Sequence, residues 1–327
     1  MAQANSRNEL ISVVVPVFNE EGVLKEFYAR TIAALSSCHF LLLFIDDGSS
    51  DSSWKIVQEL AGNDARVRGI SLSRNFGHQA ALTAGLEHAE GDAVVTIDCD
   101  LQDPPEVIPQ MIEKWKEGYD VVLGKRFERK GESAFKKITA RLFYHLFRRL
   151  TRMDMSVETG DFRLLSRNVV NVLNQIPERI RFLRALTTWA GYKQVIVSYS
   201  RDKRFAGETK YPLFKMVRLA VDGLTSFSSA PLQLASFLGF AVTTVAFLVG
   251  LYSLYIRIFT QTAVKGWTST LIITIFLGGI QLVMIGIIGE YIARIYEEVK
   301  RRPIYLIQEK IGGRAQRNLE THSSLNA

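Results

Sequence analysis

The 327 residues carry a net charge of +7, 47% hydrophobic side chains and two cysteines. Cys38 and Cys99 lie within or beside apolar runs and form no CxxC pair, which argues against a disulfide framework or a zinc cluster. The length allows two domains, or one domain with a membrane part. A basic balance suits an anionic membrane, a phosphorylated substrate or nucleic acid.

The first nine residues are polar, and the apolar run from Leu10 is interrupted by Pro16, Asn19 and Glu20. No signal peptide is expected, and the N-terminal part is expected to stay in the cytoplasm. Leu10 to Phe18 reads as a strand buried on both faces, as in a parallel sheet. It ends in Asn19, Glu20, Glu21 and Gly22, and a helix follows. His39 to Ile45 is a second strand, closed by the polar run Asp46 to Asp51 and followed by a helix to about Leu60. Val67 to Leu72 is a third strand, with the loop Ser73 to Gly77 and a helix from His78 to Ala89 behind it. A fourth strand over 93–98 runs into Asp98, Cys99, Asp100, Leu101, Gln102 and Asp103. Pro104 and Pro105 then suit the first turn of a helix over 104–117. Asp120 to Gly124 is a fifth strand. This alternation predicts an open α/β sheet. The first strand has no GxGxxG turn, which speaks against a Rossmann-type dinucleotide site. Polar loops follow strands one to four, and such sheets hold their ligands beyond the carboxyl ends of the strands.

Asp98 and Asp100 stand two apart, so an extended backbone points them the same way. Carboxylates gathered at a strand end repel one another. A hard divalent cation, Mg²⁺ or Mn²⁺, that also touches a bound diphosphate would account for them. The plainer alternative is a surface turn in which Asp103 caps the helix starting at Pro104. This stretch alone leaves both open.

Beyond Gly124, Lys125 and Arg126 precede a charged stretch. A basic, partly apolar helix follows over roughly 134–150, with Phe135, Ile138, Leu142 and Leu146 at helical spacing. It is either a surface helix with its stripe in the core or a helix at the membrane interface. Glu158 to Arg163 reads as a second acidic turn. A helix over 166–175, a helix from Arg179 to Trp189 and a strand from Gln194 to Tyr199 come next. Arg201 to Tyr211 is a basic loop hinged by Gly207, and Leu213 to Ser229 is an amphipathic helix along the membrane surface.

Leu232 to Ile256 and Ser269 to Ile288 contain no charged residue. Each is long enough as a helix to cross roughly 30 Å of hydrocarbon. Thr260 to Thr268 is then a tight outer loop. Arg294, Lys300, Arg301, Arg302, Lys310, Arg314 and Arg317 follow the second run, against Lys265 in the loop and Arg257 near the end of the first. The positive-inside bias therefore expects both termini in the cytoplasm.

The stretches Val15 to Glu20, Asp46 to Ser49 and Asp98 to Pro104 resemble the motifs of family 2 glycosyltransferases with the GT-A fold. Arg74 to Gly77, Gly124 to Arg126 and the two C-terminal spans narrow the resemblance. It points to polyprenyl-phosphate glycosyltransferases of the dolichyl-phosphate-mannose-synthase type, above all the bacterial bactoprenol glucosyl transferases, and covers about residues 8 to 300. The resemblance implies an α/β, mostly parallel GT-A catalytic domain over 1–211 in the cytoplasm. An amphipathic interfacial helix over 212–230, a two-helix transmembrane hairpin over 231–293 and a basic cytoplasmic tail over 294–327 follow. It implies inverting transfer of glucose from UDP-glucose to the phosphate of undecaprenyl phosphate, at the bacterial inner membrane. GDP-mannose, UDP-galactose, UDP-N-acetylglucosamine and a UDP-aminoarabinose derivative are the alternative donors.

Carried onto this sequence, the resemblance implies that Pro16, Asn19 and Glu20 border the nucleotide. Asp47 bonds the uracil or ribose side with Asp46 beside it; Asn75, by its own place in a loop at the predicted crevice, is expected to contact the donor. Asp98 lies near the ribose and diphosphate. Asp100 with Gln102 holds the divalent ion, and Asp98 joins directly or through water. Arg126 and Arg141 meet the acceptor phosphate. Asp161 lies near the donor sugar, while Arg201, Arg204 and Lys210 belong to a loop that closes over the site.

The chemistry suits these residue types. Charge builds on the leaving diphosphate, where a bridging cation stabilises it. The acceptor phosphate is already anionic at neutral pH, its second pKa being about 6, so it needs cationic anchoring more than a strong base. An arginine fork supplies such anchoring. Asp161 is left with two candidate jobs, accepting hydrogen bonds from sugar hydroxyls or acting as a base on a monoprotonated phosphate, beside the plain one of fixing its turn. His78 is expected to be structural. Gly278, Gly279, Gly286 and Gly289 offer small faces for a homo-oligomer. A processive synthase is disfavoured by the lack of QxxRW and the two spans. A non-enzymatic scaffold has no need of the acidic cluster. Nucleic acid is disfavoured because the basic residues gather around the membrane segments.

Overall fold

The computed structural model describes residues 9–126, 159–179, 181–200, 230–259 and 266–312. They divide into two units, one holding the sheet and one holding two long helices.

The sheet unit begins with β1 (Leu10–Val17), α1 (Leu24–Ala34), β2 (His39–Asp46), α2 (Ser53–Asn63), β3 (Val67–Leu72), α3 (His78–His88) and β4 (Ala93–Thr96). A 3₁₀ turn (Pro105–Val107) leads into α4 (Ile108–Lys116), then β5 (Val121–Arg126), β6 (Thr159–Ser166), α5 (Arg167–Gln175), α6 (Leu183–Trp189) and β7 (Gln194–Tyr199). The sheet has eight strands in the order β7-β5-β6-β4-β1-β2-β3-β8, where β8 is Ile307–Ile311. β1 is parallel to β2 and β4, β2 to β3, and β5 to β7. β6 and β8 run antiparallel to their neighbours.

The continuous apolar runs of β1 and β2 are explained by cover on both faces: from Ile11 to Val17 every residue of β1 is buried. Phe27 of α1 meets Phe44 of β2 edge to face at 6.4 Å, and Phe27, Phe40, Phe44 and Phe162 are the largest fully buried side chains. Burying each contributes on the order of 2–3 kcal/mol. Pro16 sits in a central strand because β4 pairs with β1 only as far as Val14 and Thr96. Its missing N–H therefore costs no rung on that side. On the other face α3 comes close enough that Gly85 meets the side chain of Val14.

Four expectations are corrected. The fourth strand ends at Thr96 and not at residue 98, because the backbone turns as the acidic run begins. The stretch from Glu158, read as an acidic turn, has become β6 by Thr159, and its pairing with both β4 and β5 outweighs the weak strand pattern of Thr159, Gly160 and Asp161. The helix expected from Arg179 begins at Leu183. Residues 307–311, taken as part of a basic tail, form an edge strand on β3.

The second unit holds α7 (Ala230–Phe259) and α8 (Trp267–Val299). At 1.5 Å per residue they are roughly 45 and 50 Å long. Phe276–Val299 is long and apolar enough to cross a membrane by length and composition, and Ala235–Val249 is a shorter apolar stretch. The expected helices over 134–150 and 213–229 lie outside the described residues.

Candidate active site

The carboxyl ends of β1, β2, β3 and β4 and the amino end of β6 lie along one edge of the sheet, as their pairing directions require. Strand order switches at β1, with β2 laid on one side and β4 on the other, and such a switch point is the expected crevice.

The first wall is a brace between the loops after β1 and β2. Asn19 adopts a positive φ of 55°, which asparagine tolerates. Its Oδ1 accepts the Ser50 N–H at 2.8 Å, and its own N–H donates to Ser49 Oγ at 3.0 Å. The Glu20 N–H donates to Ser53 Oγ at 2.9 Å.

Asp46 and Asp47 are both buried. Asp46 accepts from Ser71 Oγ at 3.1 Å and from the Ser49 N–H at 3.3 Å. Asp47 accepts the N–H groups of Phe76 and Gly77 at 2.7 and 2.9 Å, so it clasps the loop after β3. Burial pushes the Asp47 carboxyl up from its ordinary range, and the charge of Asp46 adds to this against the two amide bonds. Gly48 has φ +70°, and a Cβ there would stand 2.5 Å from the backbone carbon of Arg74. Only glycine lets the two loops meet. Asn75 is exposed on the clasped loop, and Arg74 lies over the ring of Phe76 at 4.0 Å.

The acidic turn after β4 leaves the extended backbone that the two-residue spacing assumed. Cys99 and Leu101 join the core, while Asp98 and Asp100 are half-buried. Leu101 carries a positive φ of 59°, a strained state for leucine that its burial holds in place. Gln102 binds Asp100 twice, backbone N–H to Oδ1 at 3.1 Å and Nε2 to Oδ2 at 2.5 Å. Burial pushes Asp98 up to about 6, with Asp161, Asp103 and Asp100 raising it further and His78 opposing. Asp103 is buried and accepts from the Tyr199 hydroxyl of β7 at 2.5 Å.

Asp98, Asp100 and the Gln102 amide offer hard oxygen donors of the kind Mg²⁺ and Mn²⁺ select. The described residues contain no group of three His, Cys, Asp or Glu placed for a metal.

Asp161 stands at the start of β6 and is gripped by two groups that sequence reasoning missed. Arg184 of α6 makes a two-point fork to it, Nε to Oδ1 and Nη2 to Oδ2, both at 2.8 Å. His78, first residue of α3, brings Nε2 within 3.3 Å of Asp161 and 3.6 Å of Asp98. Burial alone would raise the Asp161 carboxyl, but the bonds from Arg184 and His78 hold it well below the usual range. His78 is pulled down by burial and pushed up more strongly by Asp161 and Asp98, for a net rise. Arg163 lies beneath, fully buried and lowered to about 10 by desolvation. It donates to Gly160 O at 2.8 Å and to Thr187 Oγ1 at 3.1 Å, tying β6 to α6. The one sequence signal for His78 was its place directly after Gly77, at the mouth of the crevice. For Arg184 there was none, since 23 residues separate it from its partner.

The structure thus gathers Asp98, Asp100, Gln102 and Asp161 at one edge with Pro16, Asn19, Glu20, Asp46, Asp47 and Asn75. Arg126 ends β5, its backbone paired with Tyr199. Arg141, Arg201, Arg204 and Lys210 lie outside the described residues.

Comparison with known proteins fits this geometry. The family model described as Glycosyl transferase family 2 matches residues 12–173. The glycosyltransferase YkcC of Bacillus subtilis (strain 168) is 49% identical over 309 residues, covering 94% of this chain and 96% of that protein. A prophage bactoprenol glucosyl transferase homolog of Escherichia coli (strain K12) is 45% identical over 91% of this chain and 98% of its own length. The bactoprenol glucosyl transferase of Shigella phage SfII is 44% identical over 93% and 99%.

Proposed function

The chain belongs to glycosyl transferase family 2, and on that premise we propose that it transfers glucose from UDP-glucose to undecaprenyl phosphate, with inversion at the anomeric carbon. The observation that carries the proposal is the likeness to bactoprenol glucosyl transferases along nearly their whole length.

In this reading the nucleotide lies against the braced loops, bordered by Pro16, Asn19, Glu20 and Asn75. Asp46 and Asp47 serve it by fixing those loops, and Arg204 and Lys210 close over it. Asp100, with Asp98 and Gln102, holds Mg²⁺ or Mn²⁺ beside the diphosphate. The cation when bound offsets the charge that builds on the leaving group. The acceptor phosphate is ionised at neutral pH and attacks without a strong base. Arg126, with Arg141, anchors it by a guanidinium fork. Asp161 accepts hydrogen bonds from the donor sugar. The grip of Arg184 and His78 favours this role over that of a base, because a carboxylate so stabilised is a weak proton acceptor.

The hairpin reading is two spans, α7 and α8, with the catalytic domain and both termini in the cytoplasm. It is supported by connectivity. β7 precedes the helix pair and β8 follows it, yet both belong to one sheet. A chain that leaves and rejoins the same sheet crosses a membrane an even number of times. If α8 crosses, α7 is the apolar partner that restores the count. The small residues of α8 support a homo-oligomer in the membrane.

The test is transfer of label from a panel of radiolabelled nucleotide sugars to undecaprenyl phosphate in detergent, with Mg²⁺ or Mn²⁺ and with chelator. Metal-dependent lipid label from UDP-glucose alone is expected. Label from another donor corrects the sugar, and no lipid label from any donor in folded protein overturns the proposal.

A further inference from the structure

The segment that follows α8 in sequence reaches back to the crevice. Tyr305 donates its hydroxyl to Glu87 of α3 at 2.5 Å, and its ring meets His88 edge-on at 6.3 Å. The carbonyl of Leu306 accepts the Ser73 N–H at 2.9 Å. Glu309 of β8 accepts from Trp54 Nε1 at 2.9 Å and from Gln58 Nε2 at 3.2 Å, both on α2. Ile311 pairs with Gly69. Between Tyr305 and Glu309, therefore, this segment is fastened to α3, to the end of β3 and to α2.

Ser73 is where β3 gives way to the loop 73–77. That loop carries Asn75 and is clasped at Phe76 and Gly77 by Asp47. The ladder between β3 and β8 is irregular at Ser71 and Leu72, next to the Leu306 bond. The loop is thus pinned at two ends. Asp47 holds its far end from inside the sheet, and the strap 305–311 holds its near end from outside.

We infer that residues 305–311 act as a positioning strap that pre-sets the 73–77 loop for the donor nucleotide, with Tyr305 and Glu309 as the side chains that seat it. This rests on the reading of the crevice as the nucleotide-sugar site. Neither side chain enters that site. Their effect runs through the Leu306–Ser73 bond, so it falls on donor binding and not on the transfer step. An unpinned loop must be ordered by the donor itself, which costs affinity.

The test is the double variant Tyr305→Phe with Glu309→Ala, which removes the hydroxyl bond to Glu87 and the carboxylate bonds to Trp54 and Gln58. Tyr305→Phe alone is the milder form should the double variant unfold. Hydrogen exchange in the full-length protein is expected to speed up at the Ser73 amide by about ten-fold or more, and saturating UDP is expected to slow it again. The donor KM is expected to rise about ten-fold with kcat within about two-fold of wild type. Unchanged exchange at Ser73 overturns the strap. Faster exchange with an unchanged KM, or a fall in kcat at constant KM, overturns its positioning role. The exchange arm needs no turnover, so it decides whether the strap holds the loop even if the wild type transfers no sugar, a result that would instead sink the proposed reaction.

Discussion

Asp161 shows how much a single residue's role depends on partners distant in sequence. Its carboxylate is held at two points by Arg184, and lysine keeps the charge but lacks the fork. Arg184→Lys is expected to lower kcat about ten- to hundred-fold while leaving Mn²⁺ affinity, measured by titration calorimetry with UDP, within about two-fold. An unchanged kcat would show that the orientation of Asp161 is irrelevant to transfer. A second ion pair tests stability rather than catalysis. Asp64 is drawn down to about 2, first by its bond from Arg66, whose guanidinium donates at 2.8 and 3.0 Å. A depressed carboxylate adds stability that is complete above its unfolded pKa and lost as the pH falls through its folded one, here from about 4 to about 2. After discounting for the exposure of Arg66, the contribution is about 1 kcal/mol. The melting-temperature gap between wild type and Asp64→Asn is therefore expected at pH 6 and to close towards pH 2.5. A gap independent of pH would remove the charge from the explanation. The acidic run from Asp98 to Asp103 was legible in the sequence because it is a local cluster of carboxylates directly after a strand. His78 and Arg184 were not, because tertiary packing alone brings them to Asp161.

Among the elements, the sheet's parallel half was the readable part. β1 and β2 are covered on both faces, and burial writes itself into the sequence as unbroken apolar runs. The antiparallel strands were hidden for opposite reasons. β6 opens on Thr159, Gly160 and Asp161, the last two poor in strand character, and two neighbours force them into register. β8 is a short edge strand whose three central residues are exposed, so it lacks the alternation of a half-buried strand. The loops between elements carry the site, and Gly48 is where two of them touch. Gly48→Ala would place a methyl group within 3 Å of three backbone atoms of Arg74 and Asn75, at a φ that alanine resists. Backbone cannot step aside as a side chain can, so the loop after β3 must move. UDP binding is expected to weaken about ten-fold or more, read by calorimetry on protein with a near-native circular dichroism spectrum. Wild-type affinity would show that the crevice tolerates a displaced loop. This variant and the strap act on neighbouring residues of one loop, Ser73 and Arg74 to Asn75, so their effects on UDP binding should not simply add.

At the scale of the whole molecule, the question is how a sheet that lies on both sides of a helix pair in sequence is married to a membrane. The lack of charge from Leu232 to Ile256 and from Ser269 to Ile288 made both helices legible, since nothing but hydrocarbon or a deep core favours such runs. What the sequence did not contain was the return of residues 307–311 to the sheet, and that return turns a compositional argument into a topological one. Zero crossings or two are compatible with one sheet on one side, and a single crossing is not. The charge-free part of α8 ends at Gly289. Glu290 and Arg294 pair one turn further on at 3.1 Å, followed by the basic run that favours the cytoplasmic face. A cysteine in the short connection, Thr262→Cys, is therefore expected to react with a membrane-impermeant maleimide on intact cells. Glu26→Cys, on the exposed face of α1, is expected to react only after the cells are opened. If Thr262→Cys also stays silent until opening, the helix pair lies along the surface without crossing. The crevice would then have to meet its lipid from a monotopic seat. If both positions react from outside, the sheet is on the far side of the membrane from the cytoplasmic UDP-glucose pool, and the proposed reaction loses its donor.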